Sequence, residues 1–412
     1  MPETLTPDLC VIGAGSGGLS VAAGAVQMGA SVVLIEGHKM GGDCLNYGCV
    51  PSKALIAAGK AAQAQRTSAP FGVTPVDPQV DYAAAMDHVR SVIAGIEPHD
   101  SVERFEGLGV HVIQGWAEFT GPKEVTAAGV TVRPRRFVIA TGSHPVAPPI
   151  PGLADVDYLT NETLWDNREL PSHLIVIGGG PIGLEMAQAH RRLGAEVTVL
   201  EAFKALGKDD PEAAAVVLQK LRGDGIDLRE GVKIENVTQA EGSVSVALDG
   251  GETLTGSHLL VAAGRAPNID RLNLDAAGID HDKRGIKVNK GLRSVSNSKV
   301  YAIGDVAGGL QFTHMAGYQA GLIIRSALFR LPVTNRTDLI PWVTYTDPEL
   351  AQVGLTEAAA REEHGNDVEV ARFDYAENDR ARAELKTDGF AKAIIGRRGK
   401  ILGATIVGAS AG

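Results

Sequence analysis

Val11-Ile12-Gly13-Ala14-Gly15-Ser16-Gly17-Gly18 opens a stretch that closes on Val32-Val33-Leu34-Ile35-Glu36, and this stretch decides the fold. An apolar run leads into glycines at 13, 15 and 18, then a helical segment, a second apolar run and an acid 18 residues past the third glycine. A dinucleotide-binding βαβ unit requires that order. The first glycine permits the tight turn, the second lets backbone approach a pyrophosphate, and the helix start offers free N–H groups with a partial positive charge. The pattern returns 165 residues later: Gly178, Gly180 and Gly183 fall in the same places, and LGAEVTVLE (Leu193 to Glu201) repeats MGASVVLIE (Met28 to Glu36). One glycine triplet is a weak signal in a chain with 50 glycines. Two copies in the same strand, helix, strand and acid context predict two bound dinucleotides, with Glu36 and Glu201 accepting from ribose hydroxyls.

A further repeated element, Ala140-Thr141-Gly142-Ser143-His144-Pro145, is echoed by Ala262-Ala263-Gly264-Arg265-Ala266-Pro267 and is expected to close each nucleotide-binding domain. The proline-rich stretch Val146 to Gly152 reads as a crossover linker. Val300 to Asp305 (VYAIGD) reads as a strand whose terminal Asp305 reaches a cofactor hydroxyl, although an isolated Gly-Asp also suits a turn. The predicted fold class is α/β: two Rossmann-like dinucleotide-binding domains plus a partial α+β tail domain. The first domain is expected to take residues 1–149 and 265–330 and the second 150–264. From 331 to 412, short alternating strands (Pro341 to Tyr345, Ala391 to Ile395) and a helical segment (Thr356 to His364) predict the α+β tail.

Length and composition agree with this layout. A chain of 412 residues exceeds what one hydrophobic core supports. Acidic residues outnumber basic ones 49 to 39, and a net charge of -10 argues against nucleic acid and anionic membranes as partners. No apolar run approaches the roughly 20 residues that span a bilayer. Met1 to Cys10 lacks the basic start and apolar core of a secretory signal, so a cytoplasmic protein is expected. Three cysteines make an odd count, unsuited to a disulfide framework; in a reducing compartment a close pair is catalytic or metal-binding, and Cys10, inside an apolar strand, is inert.

That pair is Cys44 and Cys49, in Gly41-Gly42-Asp43-Cys44-Leu45-Asn46-Tyr47-Gly48-Cys49-Val50-Pro51-Ser52-Lys53. Five residues apart on a regular helix they would lie beyond the roughly 7 Å that a disulfide bridges, so the segment must be distorted. Gly48 and Asn46 are expected to supply the freedom, with Pro51 restarting a helix. A helix start and a nearby cation such as Lys53 would give the pair thiolate character. A metal site would need two more soft ligands that the chain does not supply, and a buried structural disulfide is the bland alternative.

Taken together, these motifs resemble those of the FAD-dependent pyridine nucleotide-disulfide oxidoreductases, over nearly the whole chain. That family includes dihydrolipoamide dehydrogenase, glutathione reductase and mercuric reductase, and CLNYGCVPSKAL looks most like the mercuric-reductase-like branch. The resemblance implies an enzyme passing electrons from NAD(P)H through FAD to the Cys44/Cys49 disulfide and on to a disulfide-type acceptor. Dihydrolipoamide dehydrogenase is the nearest alternative, and a non-catalytic dinucleotide-binding redox sensor an alternative of another class. It implies FAD contacts from Gly13, Gly15, Gly18, Glu36 and Gly42, and from Lys53, Thr141, Gly142, Ser143 and Asp305. Gly178, Gly180, Gly183 and Glu201, with Gly264 and Arg265, are implied for the nicotinamide nucleotide. Cys49 would lie against the flavin as the charge-transfer thiolate, Cys44 would exchange with substrate, and Lys53 would pair with Glu185.

Glu201 bears on the choice of nucleotide. Two phosphate charges about 5 Å from its carboxylate would cost on the order of 1.5 kcal/mol in water-like surroundings and more in a lower dielectric, favouring NADH over NADPH. Tyr47 stands where relatives carry a small aliphatic residue, and would either narrow access or donate a hydrogen bond. His314 reads as a packing or cofactor-edge residue. The stretch GATIVGASAG (Gly403 to Gly412) precedes, in relatives, helices bearing a His and a Glu that serve the partner subunit's thiol. None of the eleven histidines here fits that motif, so either the chain is shortened or that base is lacking; a homodimer is expected of the full-length protein.

Overall fold

The structure, a computed structural model, describes residues 3–412, which divide into two compact units. The first comprises residues 3–51, Arg90–Val146 and Arg265–Thr337, and the second Ser52–Val89, Ala147–Gly264 and Asp338–Gly412.

In the first unit a parallel sheet of five strands runs in the order Val300–Ala302, Arg136–Ile139, Leu9–Ile12, Val32–Glu36, His111–Gln114. Successive side chains on a strand point to opposite faces, and both faces here are covered, which explains why these strands are continuously apolar. Leu9, Val11 and Leu34 pack on one side with Leu19 and Ala22 of the helix Ser16–Gln27. Cys10, Ile12 and Ile35 pack on the other with Phe119 and Phe137. Cys10 is fully buried and burial pushes its thiol pKa far up, so its sulfur packs as a small hydrophobe.

The chain leaves this unit after Val146 and re-enters at Arg265. The two repeated elements meet there: Ser143–Pro145 pairs antiparallel with Arg265–Pro267, Arg265 opposite Pro145 and Pro267 opposite Ser143. The strand expected over Val300 to Asp305 stops at Ala302, and Asp305 lies on a short 3-10 turn, Gly304–Ala307.

The second unit repeats the parallel design with four strands in the order Asp227–Glu230, Glu196–Glu201, His173–Ile177, His258–Val261. It also holds an antiparallel sheet of five strands, Trp342–Thr344, Glu349–Gly354, Lys400–Gly408, Phe390–Gly396 and Glu369–Asp374. The tail helix runs Glu357–His364, capped by the Thr356 hydroxyl, which accepts from the Ala359 N–H. Lys392 on the fourth of these strands is buried, and its ammonium meets Asp210, Glu212 and Glu357 at 2.9 to 3.2 Å. Those carboxylates compensate a cation that burial alone would neutralise.

The helix Pro181–Leu193 carries four buried polar side chains into this unit: Glu185, Gln188, His190 and Arg192. His190 bonds the Tyr82 hydroxyl at 3.0 Å and the Met186 carbonyl at 2.8 Å. Burial drives its imidazole pKa down to about 4, with the His258 charge adding and the Met186 carbonyl opposing. An unfolded histidine titrates near ~6.5, so the folded ring refuses a proton that the unfolded chain takes up. Its stabilising contribution is complete above that value and is withdrawn, at about 1.4 kcal/mol per pH unit, as pH falls towards the folded value. The urea midpoint is therefore expected to drop between pH 7 and pH 5. His190→Gln should flatten that dependence, and an unchanged slope in the variant would remove His190 as its cause.

Candidate active site

The cysteine segment folds as two helices broken between the sulfurs. Gly42–Asn46 carries Cys44, and Cys49 is the first residue of Cys49–Arg66. The distortion is built differently from the expectation. Gly41 and Gly42 take left-handed φ of +83° and +58°, whereas Gly48 is needed because a Cβ there would sit 2.8 Å from Asp43 Oδ2. Asn46 lies within the first helix, where its amide donates to the carbonyls of Met40 and Gly42. The second helix starts at Cys49 rather than at Pro51.

Cys49 is exposed and Cys44 half-buried. The hydrogen bond with Cys49 is the largest influence on the Cys44 thiol and raises its pKa; burial and the Cys49 charge raise it further, while the hydroxyls of Thr313 and Ser16 pull the other way. Cys49 Sγ lies 3.4 Å from Thr313 Oγ1, at the start of the helix Thr313–Ile323. Helix starts favour negative charge. Tyr47, between the cysteines, turns to its own surroundings: its hydroxyl is 2.8 Å from His38 Nε2, the two rings stack, and Lys39 Nζ lies 5.1 Å from the ring centroid. The ring of His314 stacks on Phe312. Among the described residues no group of three or more His, Cys, Asp or Glu side chains converges as a metal ion would need.

Beside the cysteine segment lies the first glycine turn. Gly13 has φ +101°, and a Cβ there would strike the Ala140 carbonyl at 2.5 Å. A Cβ on Gly18 would strike the Gly13 carbonyl at 1.8 Å, which is how closely the helix Ser16–Gln27 sits on its strand. Gly15 caps that helix without a side-chain bond, and its first turn holds no acid. A Cβ on Gly42 would come within 2.6 Å of Gly15 Cα, so two bare backbones face each other across the turn. Such a cradle with free helix-start N–H groups fits a diphosphate, and the residues therefore suit FAD. In the second unit the turn recurs: Gly178 has φ +118°, a Cβ on Gly183 would lie 2.0 Å from the Gly178 carbonyl, and Gly180 is open to anything within 4 Å.

The two acids behave alike. Glu36 accepts from the N–H groups of Ala14 at 2.6 Å and His38 at 2.7 Å, and Glu201 from those of Gly179 at 2.7 Å and Phe203 at 2.8 Å. Each partner of Glu201 is the repeat equivalent of a partner of Glu36. Phe203, 82% exposed, is the large apolar surface beside Glu201.

Around Asp305 the first unit gathers a charged network. The Ser143 hydroxyl donates to Asp305 Oδ2 at 2.5 Å, and Arg265 donates to Ser143 Oγ at 2.8 Å and to Asp43 Oδ1 at 2.9 Å. Burial raises the Asp305 carboxyl above its ordinary range and Asp43 adds to the rise, against the pull of Ser143 and Arg265. The Arg265 guanidinium, expected from sequence among the cofactor contacts, is bound within the first unit. Thr141 donates to the Asn268 carbonyl at 2.7 Å, and Gly142, at φ +69°, has nothing within 4 Å of a notional Cβ.

In the second unit Lys53 Nζ lies 2.8 Å from Glu185 Oε2, and Glu185 Oε1 accepts from the Tyr345 N–H at 2.9 Å. Lys53 also sits 4.3 Å from the Tyr345 ring centroid. Glu185 is buried, so the lysine and the backbone N–H offset its desolvation. Gly264 is open to anything within 4 Å.

Sequence reasoning missed Thr313, Ser16, Tyr345 and Asp43. Ser16 lay inside the glycine motif and carried a signal. Thr313 carried none, being 264 residues from Cys49.

No helix among the described residues is long and apolar enough to cross a membrane. The sequence profile of the pyridine nucleotide-disulphide oxidoreductases matches residues 7–320, and that of their dimerisation domain residues 340–412. The chain is 36% identical to a mercuric reductase of Lysinibacillus sphaericus, over 98% of this chain and 75% of that protein. It is 34% identical to a dihydrolipoyl dehydrogenase of Geobacillus stearothermophilus, over 97% of this chain and 86% of that one. Among solved structures, the HOCl-induced flavoprotein disulfide reductase RclA from Escherichia coli superposes with a TM-score of 0.87 at 30% identity, covering 98% of this chain and 90% of its own. Twin glycine cradles, a thiol pair at a helix start and matches of this extent lead to one conclusion: the chain belongs to the pyridine nucleotide-disulphide oxidoreductases and is an NAD(P)H-dependent FAD disulfide oxidoreductase.

Proposed function

We propose that Cys44 and Cys49 are the redox pair, with Cys49 facing the flavin and Cys44 exchanging with a disulfide-type acceptor. The observation that carries this reading is the placement of Cys49 at one helix start and beside the Thr313 start of another. Residues 1–149 and 265–330 form the FAD domain in this reading, 150–264 the nucleotide domain and 331–412 the subunit interface of a homodimer. Gly13, Gly15, Gly18 and Gly42 take the FAD diphosphate, Glu36 and Asp305 its hydroxyls, and Thr141, Gly142 and Ser143 its near edge. Gly178, Gly180, Gly183 and Gly264 take the nicotinamide nucleotide with Glu201, while Arg265 acts indirectly by fixing Ser143 and Asp43. Lys53, held by Glu185, serves the flavin as a fixed cation.

FAD held by Gly13, Gly15, Gly18 and Gly42 would supply two-electron transfer between a reduced nicotinamide and a disulfide. The chain's own part is thiol chemistry. Two electrons and one proton convert the Cys44–Cys49 disulfide to a Cys44 thiol and a Cys49 thiolate. Cys44 passes its proton to Cys49 and attacks one sulfur of the acceptor, expelling the other as a thiolate that takes up that proton, and Cys49 then attacks Cys44 to release the second thiolate and restore the disulfide.

Glu201 favours NADH, because its carboxylate stands where the extra phosphate of NADPH would approach. An anaerobic titration tests both claims. NADH should reduce the bound flavin and bring up the long-wavelength absorption of a thiolate beside it, and NADPH should do so with kcat/KM at least about tenfold lower, as charge repulsion at this range implies. A colourless preparation, or no such absorption with either nucleotide, would overturn the thiol assignment. Equal efficiency with NADPH would overturn the preference alone.

A further inference from the structure

We propose that Thr313 is a positioning residue that holds the negative charge of the reduced pair on Cys49, by donating its hydroxyl hydrogen to that sulfur. The proposal rests on the reading of Cys44 and Cys49 as the redox pair and says which sulfur the protein keeps charged, and by what means.

The geometry is specific. Thr313 Oγ1 stands 3.4 Å from Cys49 Sγ, within hydrogen-bonding distance for sulfur. Thr313 is the first residue of an 11-residue helix whose cap residue, Phe312, offers no side-chain bond to the first turn, so hydroxyl and helix start act on the sulfur from the same direction. The helix is fixed from behind: Gln319, two turns on and buried, accepts from the Gly304 N–H at 2.7 Å, tying it to the turn that carries Asp305. Cys49 opens a helix of its own, whereas Cys44 sits in the middle of a five-residue one.

The hydroxyl can donate one hydrogen, and two sulfurs compete for it. Thr313 and Ser16 both bear on Cys44, but Cys44 is also hydrogen-bonded with Cys49 and is the more buried sulfur. A Cys49 thiolate accepting from Cys44 and from Thr313 satisfies every hydrogen among the three groups. A Cys44 thiolate would be left in the drier position. Threonine suits the task because its methyl group restricts χ1 and aims the hydroxyl, whereas serine would reach the same atom with more freedom.

The test uses the full-length holoprotein as wild type, Thr313→Val, Thr313→Ser and Thr313→Ala. Each is reduced anaerobically, and the long-wavelength thiolate absorption is followed as pH is lowered. The midpoint at which it disappears should rise by about one pH unit in the Val and Ala variants, the size of a lost charge-assisted hydrogen bond, and stay within a few tenths of wild type in the Ser variant. Retention of flavin and an unchanged far-ultraviolet spectrum identify variants that fold, and Ala serves if Val does not. An unchanged midpoint in Val or Ala, or a Ser variant that behaves like them, overturns the proposal while leaving the redox pair in place. Absence of the absorption in the wild type at every pH overturns the redox assignment and this proposal with it.

Discussion

Cys49→Ser protein is expected to keep its flavin and its colour, yet to reduce disulfides at least about a thousand-fold more slowly than the parent, as loss of an essential nucleophile does. A serine oxygen cannot form the internal disulfide, and its hydroxyl does not ionise near neutral pH. Nothing in the glycine cradle depends on that sulfur, because the close contacts of Gly13, Gly18 and Gly42 are backbone to backbone. Cys44→Ser should be as slow in turnover but differ in spectrum. It leaves sulfur 49 at its helix start beside Thr313, so the long-wavelength absorption should persist after reduction, whereas Cys49→Ser should lack it. Absorption surviving in Cys49→Ser and lost in Cys44→Ser would exchange the two roles. Undiminished turnover in either variant would remove the pair from the reaction.

The second large effect comes from adding one methyl group to each repeat. In Gly18→Ala the new Cβ would sit 1.8 Å from the Gly13 carbonyl oxygen, and in Gly183→Ala 2.0 Å from that of Gly178. Neither obstacle is a side chain that can swing aside, so the helix has to lift from its strand and the turn that cradles the diphosphate opens. Overpacking of this kind costs about 1–3 kcal/mol, which corresponds to roughly a five- to 150-fold loss of affinity if it falls on the bound state. The two variants should differ in what they lose. Gly18→Ala should purify with little flavin, and Gly183→Ala should purify yellow but need much higher NADH to be reduced. Flavin occupancy by absorbance and NADH affinity by rapid-mixing reduction measure both losses. Loss of flavin from Gly183→Ala, with tight flavin in Gly18→Ala, would reverse the assignment of the two cradles.

These contacts also indicate what the sequence could disclose. The glycine pattern was legible because each glycine answers a steric demand a few residues away, and local spacing records local demands. The apolar strands and the alternating tail were legible for the same reason. The cysteine segment was half legible. A break between the sulfurs followed from disulfide geometry, but sequence could not choose among Gly41, Gly42 and Gly48, because the choice depends on how closely Asp43 and Gly15 approach. The motif at Arg265 echoes the one at Ala140 to Pro145, and the sequence did not disclose that the two stretches pair with each other. Thr313 was beyond reach, since a threonine opening a helix usually signals only a cap.

The ladder joining Ser143–Pro145 to Arg265–Pro267 has an evolutionary corollary. Because Pro145 faces Arg265 directly, everything between them is spliced into the host at two points about 5 Å apart. An ancestral gene could have acquired a copy of its own opening module there as an in-frame cassette, with no rethreading of the recipient and no new strand order to invent.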